Sequence, residues 1–378
     1  ESVTPPEVLR EELDDLLLAA AAADTPVAEL EFLDPLPEHA LERAQHRLQA
    51  MRAVDKAGRL TEHGRRLFPL PLEPLFAHLI TAMPDTTSQE AMVDLAATLS
   101  AGRRLLAAQP PDALEALTQW SPEPCDATTR IRLLRADPPP PVRVDKRALG
   151  EARSIADQTR TALRLGPRNA NAPLPRDTLL RAALEAAPEL AFVRRPKRQH
   201  ALGNDEREIE VGRESRFPED AVAAVVFDDH SIPGKGTTRT LAFGTCMAPV
   251  APALLADLGL GSVEYGDPAR EGDRIVIEKR RIYAGRVIAS EPTEPAGAVL
   301  RRAAARLILA GELLDGAGER AQEDIAAWNL YLKLGLGKGE PADAEPWLGE
   351  RLEQLGVESA EDLALIEAED LRYDGIPE

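Results

Sequence analysis

The sequence has few of the residues that stabilise extracellular domains. Its 378 residues include only two cysteines, Cys125 and Cys246, which are too far apart to give a disulfide framework or a zinc-binding spacing. We therefore expect a protein of the reducing cytoplasm in which both thiols are buried as small apolar side chains. No apolar run approaches the ~20 residues that cross a bilayer, so we expect no membrane partner.

Patterns typical of catalytic sites are also missing. The sequence contains no G-x-x-x-x-G-K-[ST] phosphate loop, no Asp-Glu-x-His box, and no convincing carboxylate pair, triad or metal cluster. The stretch PGKGTT at 233–238 lacks the first glycine of a phosphate loop, so we interpret it as a loop between strands that could face nucleic acid. His39, His46 and His63 do not provide a set of metal ligands. We expect no catalytic residue, no metal site and no cofactor in this chain.

Acidic residues outnumber basic ones, and the net charge of −19 at first argues against nucleic acid as a partner. The acids are concentrated at the ends: residues 1–50 contain 12 acids and 3 bases, and residues 340–378 contain 13 acids and 2 bases. The middle is therefore close to neutral, and two basic clusters lie within it. The clusters consist of Arg194, Arg195, Lys197 and Arg198, and of Lys279, Arg280 and Arg281.

Hydrophobic residues make up 44% of the chain, which is enough for packed cores, and its length predicts several domains. Apolar residues have helical spacing before residue 190 and after residue 296, whereas residues 190–291 alternate as β-strands do. The sequence therefore predicts a multidomain α+β protein. Helices are predicted over 8–22, 26–33, 38–54, 88–108, 146–165, 176–187 and 247–258, strands over 207–211, 222–227, 238–245 and 273–288, and a polyproline spacer at 138–141.

The most specific pattern is MRAVDKAGRLTEHGRRL at 51–67. Asp55 to Arg59 predicts a turn, and Thr61 could cap the short helix that follows. The stretch resembles the winged-helix signature of DEAH/RHA-type helicases, in which leucine-x-alanine-leucine-aspartate precedes glycine-x-leucine-threonine-x-x-glycine. A leucine–proline segment follows in both, here at 68–74. EFLDPLP at 31–37 is similar to the family's upstream aspartate–proline turn.

The order of segments resembles the bacterial HrpB-like branch of that family. This resemblance implies four domains: a winged helix at 1–74, a ratchet-like helical bundle at 75–189, an OB-like β-barrel at 190–291, and an acidic helical region at 296–378. It also implies that the chain is a motor-less C-terminal portion of an ATP-dependent helicase. ATP and magnesium would bind to two RecA-like motor domains that the sequence does not contain, and the substrate would be single-stranded RNA or DNA.

In this interpretation both basic clusters contact phosphates, and an OB-like barrel would add stacking aromatics. Phe192 and Phe243 are the candidates, although either could instead belong to the core. Arg65 and Arg66 could meet nucleic acid, contact a motor-domain carboxylate or simply be solvated. The alternative function is that of an acidic protein-interaction scaffold without nucleic-acid binding.

Overall fold

A computed structural model of the chain describes residues 13–33, 35–106, 109–233, 240–336 and 338–373. The chain forms two compact units, Glu1–Leu260 and Gly261–Glu378, and each has its own hydrophobic core. Parts of the predicted helices over 8–22 and 88–108, and of the predicted strand over 238–245, lie outside the described residues.

Helices form the first part of unit 1. Many begin at a proline or at a capping side chain; Asp85 and Asp145, for example, accept hydrogen bonds from backbone N–H groups of the first turn. The helices are α1 (Asp14–Ala22), α2 (Glu38–Ala50), α3 (Glu62–Leu67), α4 (Pro74–Ala82), α5 (Thr86–Leu99), α6 (Pro111–Trp120), α7 (Asp126–Arg135), α8 (Lys146–Leu163) and α9 (Arg176–Ala186).

The signature at 51–67 folds as a tight turn followed by a capped helix, as predicted. The Asp55 carboxylate accepts hydrogen bonds from the N–H groups of Ala57 and Arg59, at 2.8 and 3.0 Å. The Thr61 hydroxyl oxygen accepts one from the N–H of Gly64 at 3.0 Å and so caps α3. Gly64 touches the strand-like segment before the turn, since a Cβ atom there would lie 2.1 Å from the carbonyl oxygen of Ala53. This position therefore requires glycine.

A buried carboxylate ties three helices of unit 1 together. Asp94 of α5 is fully buried and forms ion pairs with Arg135 of α7 at 2.6 Å and with Arg160 of α8 at 2.8 Å. Because a buried charge without partners is costly, the two guanidinium groups are needed to keep the carboxylate in this position.

A pair of histidines joins α3 and α4 to the end of α9. The Nε2 atom of His63 lies 2.9 Å from Nδ1 of His78, and Nε2 of His78 lies 3.2 Å from the carbonyl oxygen of Ala186. Since that carbonyl only accepts, Nε2 of His78 carries its proton, and Nδ1 accepts the proton of His63. Burial is the main cause that lowers the pKa of both rings.

The second part of unit 1 is a closed five-stranded barrel with the order β1-β2-β3-β5-β4. All neighbours are antiparallel except β3 and β5, which are parallel. Phe192, Leu202, Ile209, Val226 and Met247 fill its interior. The strands are β1 (Ala191–Arg194), β2 (Ala201–Gly203), β3 (Glu208–Val211), β4 (Ala223–Pro233) and β5 (Thr240–Val250), and helix α10 (Pro252–Asp257) follows.

Asp126, the first residue of α7, connects the helices to the barrel. Its buried carboxylate accepts hydrogen bonds from the Ser215 hydroxyl at 2.5 Å, from the N–H of Arg216 at 2.7 Å and from the N–H of Met247 in β5 at 3.1 Å. Burial raises the pKa of Asp126, while these three hydrogen bonds lower it. In the other direction, Arg130 of α7 donates to the carbonyl oxygen of Thr245 at 3.2 Å.

Unit 2 consists of a three-stranded antiparallel sheet, in the order β6-β7-β8, and helices. Ile275 and Ile277 of the sheet pack against Leu300, Ala304 and Ile308. The elements are β6 (Ser262–Glu271), β7 (Arg274–Tyr283), β8 (Arg286–Thr293), α11 (Gly297–Leu309), α12 (Ala317–Lys333), α13 (Ala344–Gln354) and α14 (Ala360–Leu363).

The structure differs from the sequence-based expectation in several elements. The predicted helix over 247–258 begins too early, because β5 continues to Val250 and the helix covers only Pro252–Asp257. The segment 26–33 contains a single 3-10 turn, Val27–Glu29. Residues 190–291 do not form one barrel: its strands end at Val250, and the strands after residue 260 pair with one another instead. The four prolines at 138–141 end in a turn rather than a wholly extended spacer.

Among the described residues, no helix combines the length and the apolar character needed to cross a lipid bilayer.

Candidate nucleic-acid interface

The hairpin of β4 and β5 carries a partly exposed apolar surface on the outside of the barrel. Ile232 pairs with Leu241, and His230 pairs with Phe243. Directly paired residues of antiparallel strands share a face, and so do residues two apart, so these four side chains form one surface. We call these four residues the hairpin ledge. Ile232 and Leu241 are 41% and 42% exposed, while Ala242, between the ledge residues of β5, packs against the barrel core.

Two rings and a cation lie together on the hairpin ledge. The rings of His230 and Phe243 are 5.8 Å apart with an interplanar angle of 32°. A guanidinium nitrogen of Arg104, from the segment after α5, lies 3.4 Å from the His230 ring nitrogen Nε2. The same guanidinium forms an ion pair with Glu214 at 3.3 Å, which holds it at the ring edge. His230 and Phe243 are only partly buried. Partly exposed rings beside a guanidinium group can stack on bases, and the guanidinium can contact a phosphate.

The hairpin ledge continues across the barrel surface to the first basic cluster. Phe243 is the register partner of Glu210 in β3, so their side chains lie on the same outer face. Arg198 contacts Glu210 at 3.5 Å and also forms an ion pair with Glu208. Arg195 contacts the same Glu208 at 3.1 Å. The structure therefore brings Arg195 and Arg198 to the side of the barrel that carries Phe243.

Arg194 has a different environment from the rest of its cluster. Its side chain is buried and donates to the carbonyl oxygens of Ala221 at 2.8 Å, Pro218 at 3.0 Å and Gln199. It also lies over the ring of Phe217, 5.6 Å from the ring centroid. The contacts with Ala221 and Pro218 fix the loop before β4, and the contact with Gln199 fixes the segment between β1 and β2. The predicted phosphate contact by Arg194 does not agree with this burial. Its neighbour Lys197 is exposed and has no ion-pair partner among the described residues.

The second basic cluster lies on β7 of unit 2. Lys279 forms an ion pair with Glu291 at 2.9 Å, and Arg280 forms one with Glu278. Arg281 donates to the carbonyl oxygen of Gly261 at 3.3 Å. Carboxylates on the neighbouring strand and on β7 itself therefore neutralise part of the charge that the sequence shows.

The other candidate residues divide between core and surface. Phe192 is fully buried in the barrel interior, which excludes it as a stacking residue, whereas Phe243 belongs to the hairpin ledge. Both cysteines are buried, as predicted, and burial raises the pKa of each thiol. Arg65 and Arg66 are exposed on α3.

Sequence reasoning missed Arg104, His230, Ile232 and Leu241. Each is unremarkable in its own segment, and the surface exists only because the register of β4 and β5 places the residues side by side. The signal that could have found them is the alternation of apolar and polar residues on both sides of the glycine-rich stretch at 234–236.

Comparison with known proteins shows that the fold is similar to that of a solved structure. No protein-family model matches the chain. A solved structure, the E. coli DExH-box NTPase HrpB, is similar over 98% of this chain and 42% of its own, with a TM-score of 0.52 and 15% sequence identity. The chain has an HrpB-like helicase fold. For the fold, this confirms the resemblance that residues 31–74 predicted.

Two further similarities are weaker. The Escherichia coli DEAH/RHA helicase HrpB gives a TM-score of 0.47 and 16% identity over 97% of this chain and 43% of that structure. The pre-mRNA-splicing factor ATP-dependent RNA helicase prp22 of Schizosaccharomyces pombe is 29% identical over 96 residues, which are 25% of this chain and 8% of that protein. The chain thus spans less than half the length of the relatives it matches.

No group of three or more His, Cys, Asp or Glu side chains among the described residues could hold a metal ion. The stretch 234–238, the nearest approach to a phosphate loop in the sequence, lies outside the described residues.

Proposed function

We propose that this chain is a strand-binding accessory region of an HrpB-like ATP-dependent helicase, acting in the cytoplasm. In this proposal single-stranded RNA or DNA crosses the hairpin ledge, and ATP and magnesium act in RecA-like motor domains elsewhere. The chain itself performs no bond chemistry. Its contribution is to hold the strand while the motor moves.

The observation that carries the proposal is the hairpin ledge on a barrel of this topology. We interpret the barrel, with its 1-2-3-5-4 order, as an OB-like module, a class that binds single strands with a groove that combines basic and aromatic side chains. The hairpin ledge supplies the ring of Phe243, Arg104 supplies a cation, and Lys197 and Arg198 extend the basic surface. We interpret residues up to 74 as a winged helix and α5 to α9 as the ratchet-like bundle.

The ion pairs of the basic residues predict modest affinity. Arg104, Arg195 and Arg198 all face a glutamate, so a phosphate must compete with a carboxylate for each guanidinium. Stacking on Phe243 does not involve this competition. We therefore expect stacking to account for a large part of the binding free energy, and the remaining electrostatic part to weaken with salt.

The test is a titration of a fluorescent single strand of ~20 nucleotides, RNA and then DNA, followed by anisotropy at low and near-physiological salt. The Phe243→Ala variant is compared with Phe68→Ala, which removes a phenylalanine of unit 1 that is 48% exposed and does not belong to the hairpin ledge. We expect about a tenfold loss of affinity for Phe243→Ala, because one base stack contributes ~1–3 kcal/mol. Phe68→Ala should bind as the parent does.

Equal loss in both phenylalanine variants, or no loss in either, would remove the hairpin ledge from the binding surface. Absence of binding at low salt would favour the scaffold alternative instead.

One feature of unit 2 supports the scaffold alternative. Leu330, Leu334 and Leu336, at the end of α12, are 56%, 63% and 62% exposed. Exposed apolar residues so close together are typical of protein-interaction surfaces.

A further inference from the structure

Unit 2 contains a cleft that the proposed function does not use. It has a volume of about 500 Å³ and lies between β6 and β7 of the sheet and the first three turns of α11. Its walls include Val263 and Tyr265 of β6, Ile277 of β7, and Val299 and Arg302 of α11. The volume lies within the roughly 300–1,000 Å³ of clefts that hold small molecules.

The register of the sheet explains why Tyr265 belongs to this cleft. Tyr265 pairs with Lys279, which lies two residues beyond Ile277 on β7 and therefore on the same face. Ile277 packs against α11 in the core of unit 2, so Tyr265 is on the α11 side of the sheet. Immediately after Tyr265 the register between β6 and β7 shifts, and irregularities of this kind often redirect a side chain at a binding site. The Tyr265 side chain is left 44% exposed.

Two arginines one helical turn apart border the cleft, and their environments differ. Arg306 forms ion pairs with Glu345 at 2.8 Å and with Asp267 at 3.4 Å. Arg302 is exposed and has neither an ion pair nor a hydrogen bond among the described residues. Glu264 also lines the cleft. The free guanidinium of Arg302 therefore borders a cleft that has aliphatic walls, one carboxylate and an exposed aromatic ring.

We propose that this cleft binds a nucleotide, with the base on the Tyr265 ring and the phosphate on the Arg302 guanidinium. An exposed aromatic ring offers a stacking surface to any base, and the planar guanidinium matches two phosphate oxygens at once. The aliphatic walls, Val263, Ile277 and Val299, exclude water from the edges of the base. The proposal goes beyond the strand-binding barrel, because each of these residues belongs to unit 2.

A ligand with phosphate alone or ring alone fits the cleft less well. Inorganic phosphate or a sugar phosphate would leave Tyr265 and the aliphatic walls in water. A nucleoside would leave Arg302 unpaired. The nucleotide could be a free mononucleotide or one unit of a single strand, since both present the same base and phosphate.

The first experiment uses the full chain and ligand-observed NMR. Saturation transfer to the adenine protons is measured for adenosine 5′-monophosphate, adenosine and a short oligoadenylate, and ribose 5-phosphate is added as a competitor. We expect the monophosphate to bind more tightly than adenosine and to resist displacement by ribose 5-phosphate. The oligoadenylate comparison is made in the Phe243→Ala chain, in which strand binding at the hairpin ledge is weakened. There, a dissociation constant shared by the mononucleotide and the oligonucleotide identifies the nucleotide unit as the ligand of the cleft, and tighter oligonucleotide binding that Tyr265→Ala removes identifies a strand.

Four variants test the residues. Tyr265→Ala and Arg302→Gln should each weaken monophosphate binding about tenfold, which corresponds to about 1.4 kcal/mol. Tyr265→Phe keeps the ring and should bind as the parent does. Arg320→Gln removes an exposed arginine of α12 that does not line the cleft, so it should have no effect. Circular dichroism confirms that each variant is folded.

Two results would overturn the proposal. One is the absence of saturation transfer from the folded parent chain at millimolar nucleotide. The other is displacement of the monophosphate by ribose 5-phosphate at equal concentration, which would mean that the cleft recognises an anion alone. The Phe243→Ala variant of the barrel should leave mononucleotide binding unchanged, so failure of this proposal and failure of the proposed function can be told apart.

Discussion

The carboxylate of Asp126, in the first turn of α7, accepts a hydrogen bond from the main-chain N–H of Met247, in the middle of β5, at 3.1 Å. The two residues are far apart in sequence, and the bond joins the helical part of unit 1 to the barrel. With the Ser215 hydroxyl and the N–H of Arg216, Met247 completes a set of three donors around one buried carboxylate.

Loss of this carboxylate should destabilise unit 1. In Asp126→Ala three donors lose their acceptor inside the protein, and we expect the free energy of unfolding to fall by about 3 kcal/mol or more. Urea denaturation followed by circular dichroism measures the effect. The matched control is Asp177→Ala, at the first turn of α9, where the side chain is 96% exposed. A similar shift in both variants would contradict a specific role for Asp126.

The histidine pair should make the stability of unit 1 depend on pH. Burial holds the pKa of both rings below 6.5, and for His63 the charge that His78 gains on protonation and the charges of Arg66 and Arg52 act in the same direction. Below ~6.5 the unfolded chain therefore binds more protons than the folded chain. The contribution of the pair is complete above that pH and is lost as the pH falls through the folded-state pKa values.

The thermal midpoint, measured from pH 7.5 to 5.0, tests this dependence. The double variant His63→Gln with His78→Gln should lose less stability over this range than the parent chain does. His46→Gln, which removes an exposed histidine of α2, should behave as the parent does. If the thermal midpoint of the parent and that of the double variant change equally with pH, the histidine pair does not titrate in this range.

Arg194 and Lys197 should separate stability from binding. Arg194→Ala leaves the carbonyl oxygens of Gln199, Pro218 and Ala221 without their donor, and we expect a loss of about 2 kcal/mol or more in unfolding free energy. Lys197→Glu should leave stability unchanged and weaken strand binding, with a smaller salt dependence. Lys56→Glu, on the exposed turn near residue 55, is the charge-matched control. If Arg194→Ala is as stable as the parent chain, the Arg194 guanidinium is exposed on the surface and does not hold these carbonyl groups.

Gly64 should not tolerate any side chain. A Cβ atom would lie 2.1 Å from the Ala53 carbonyl oxygen and 2.7 Å from a methyl group of Leu60, so Gly64→Ala must separate α3 from the preceding segment. We expect a destabilisation of about 1–3 kcal/mol. Gly150→Ala, in the second turn of α8 with open space around the added atom, should be neutral or stabilising. Thermal melts of the two variants provide the comparison.

Local patterns could be predicted from the sequence because neighbouring residues create them. The turn at Asp55 and the Thr61 cap depend on hydrogen bonds within a few positions, and both were predicted correctly. The boundary between β5 and α10 was not predicted correctly, because the apolar run from Met247 to Leu258 is compatible with a strand and with a helix.

Features that depend on distant partners could not be predicted. The pairing of β6 with β7 rather than with a barrel strand was not predicted, because strand alternation alone does not specify the partner of a strand. In the sequence Arg194 cannot be distinguished from its basic neighbours. Its burial depends on contacts with the loop at 218–221, which is distant in sequence. The hairpin ledge likewise depends on the register between β4 and β5.

Strand β5 connects the hairpin ledge mechanically to helix α7. It carries Leu241 and Phe243 on the hairpin ledge, and a few residues later it bonds to α7 through Thr245 and Met247. From Phe243 to Met247 the distance along an extended strand is about 13 Å. Tension applied to the hairpin ledge therefore reaches the helices through covalent backbone and buried hydrogen bonds, without passing through a flexible surface contact.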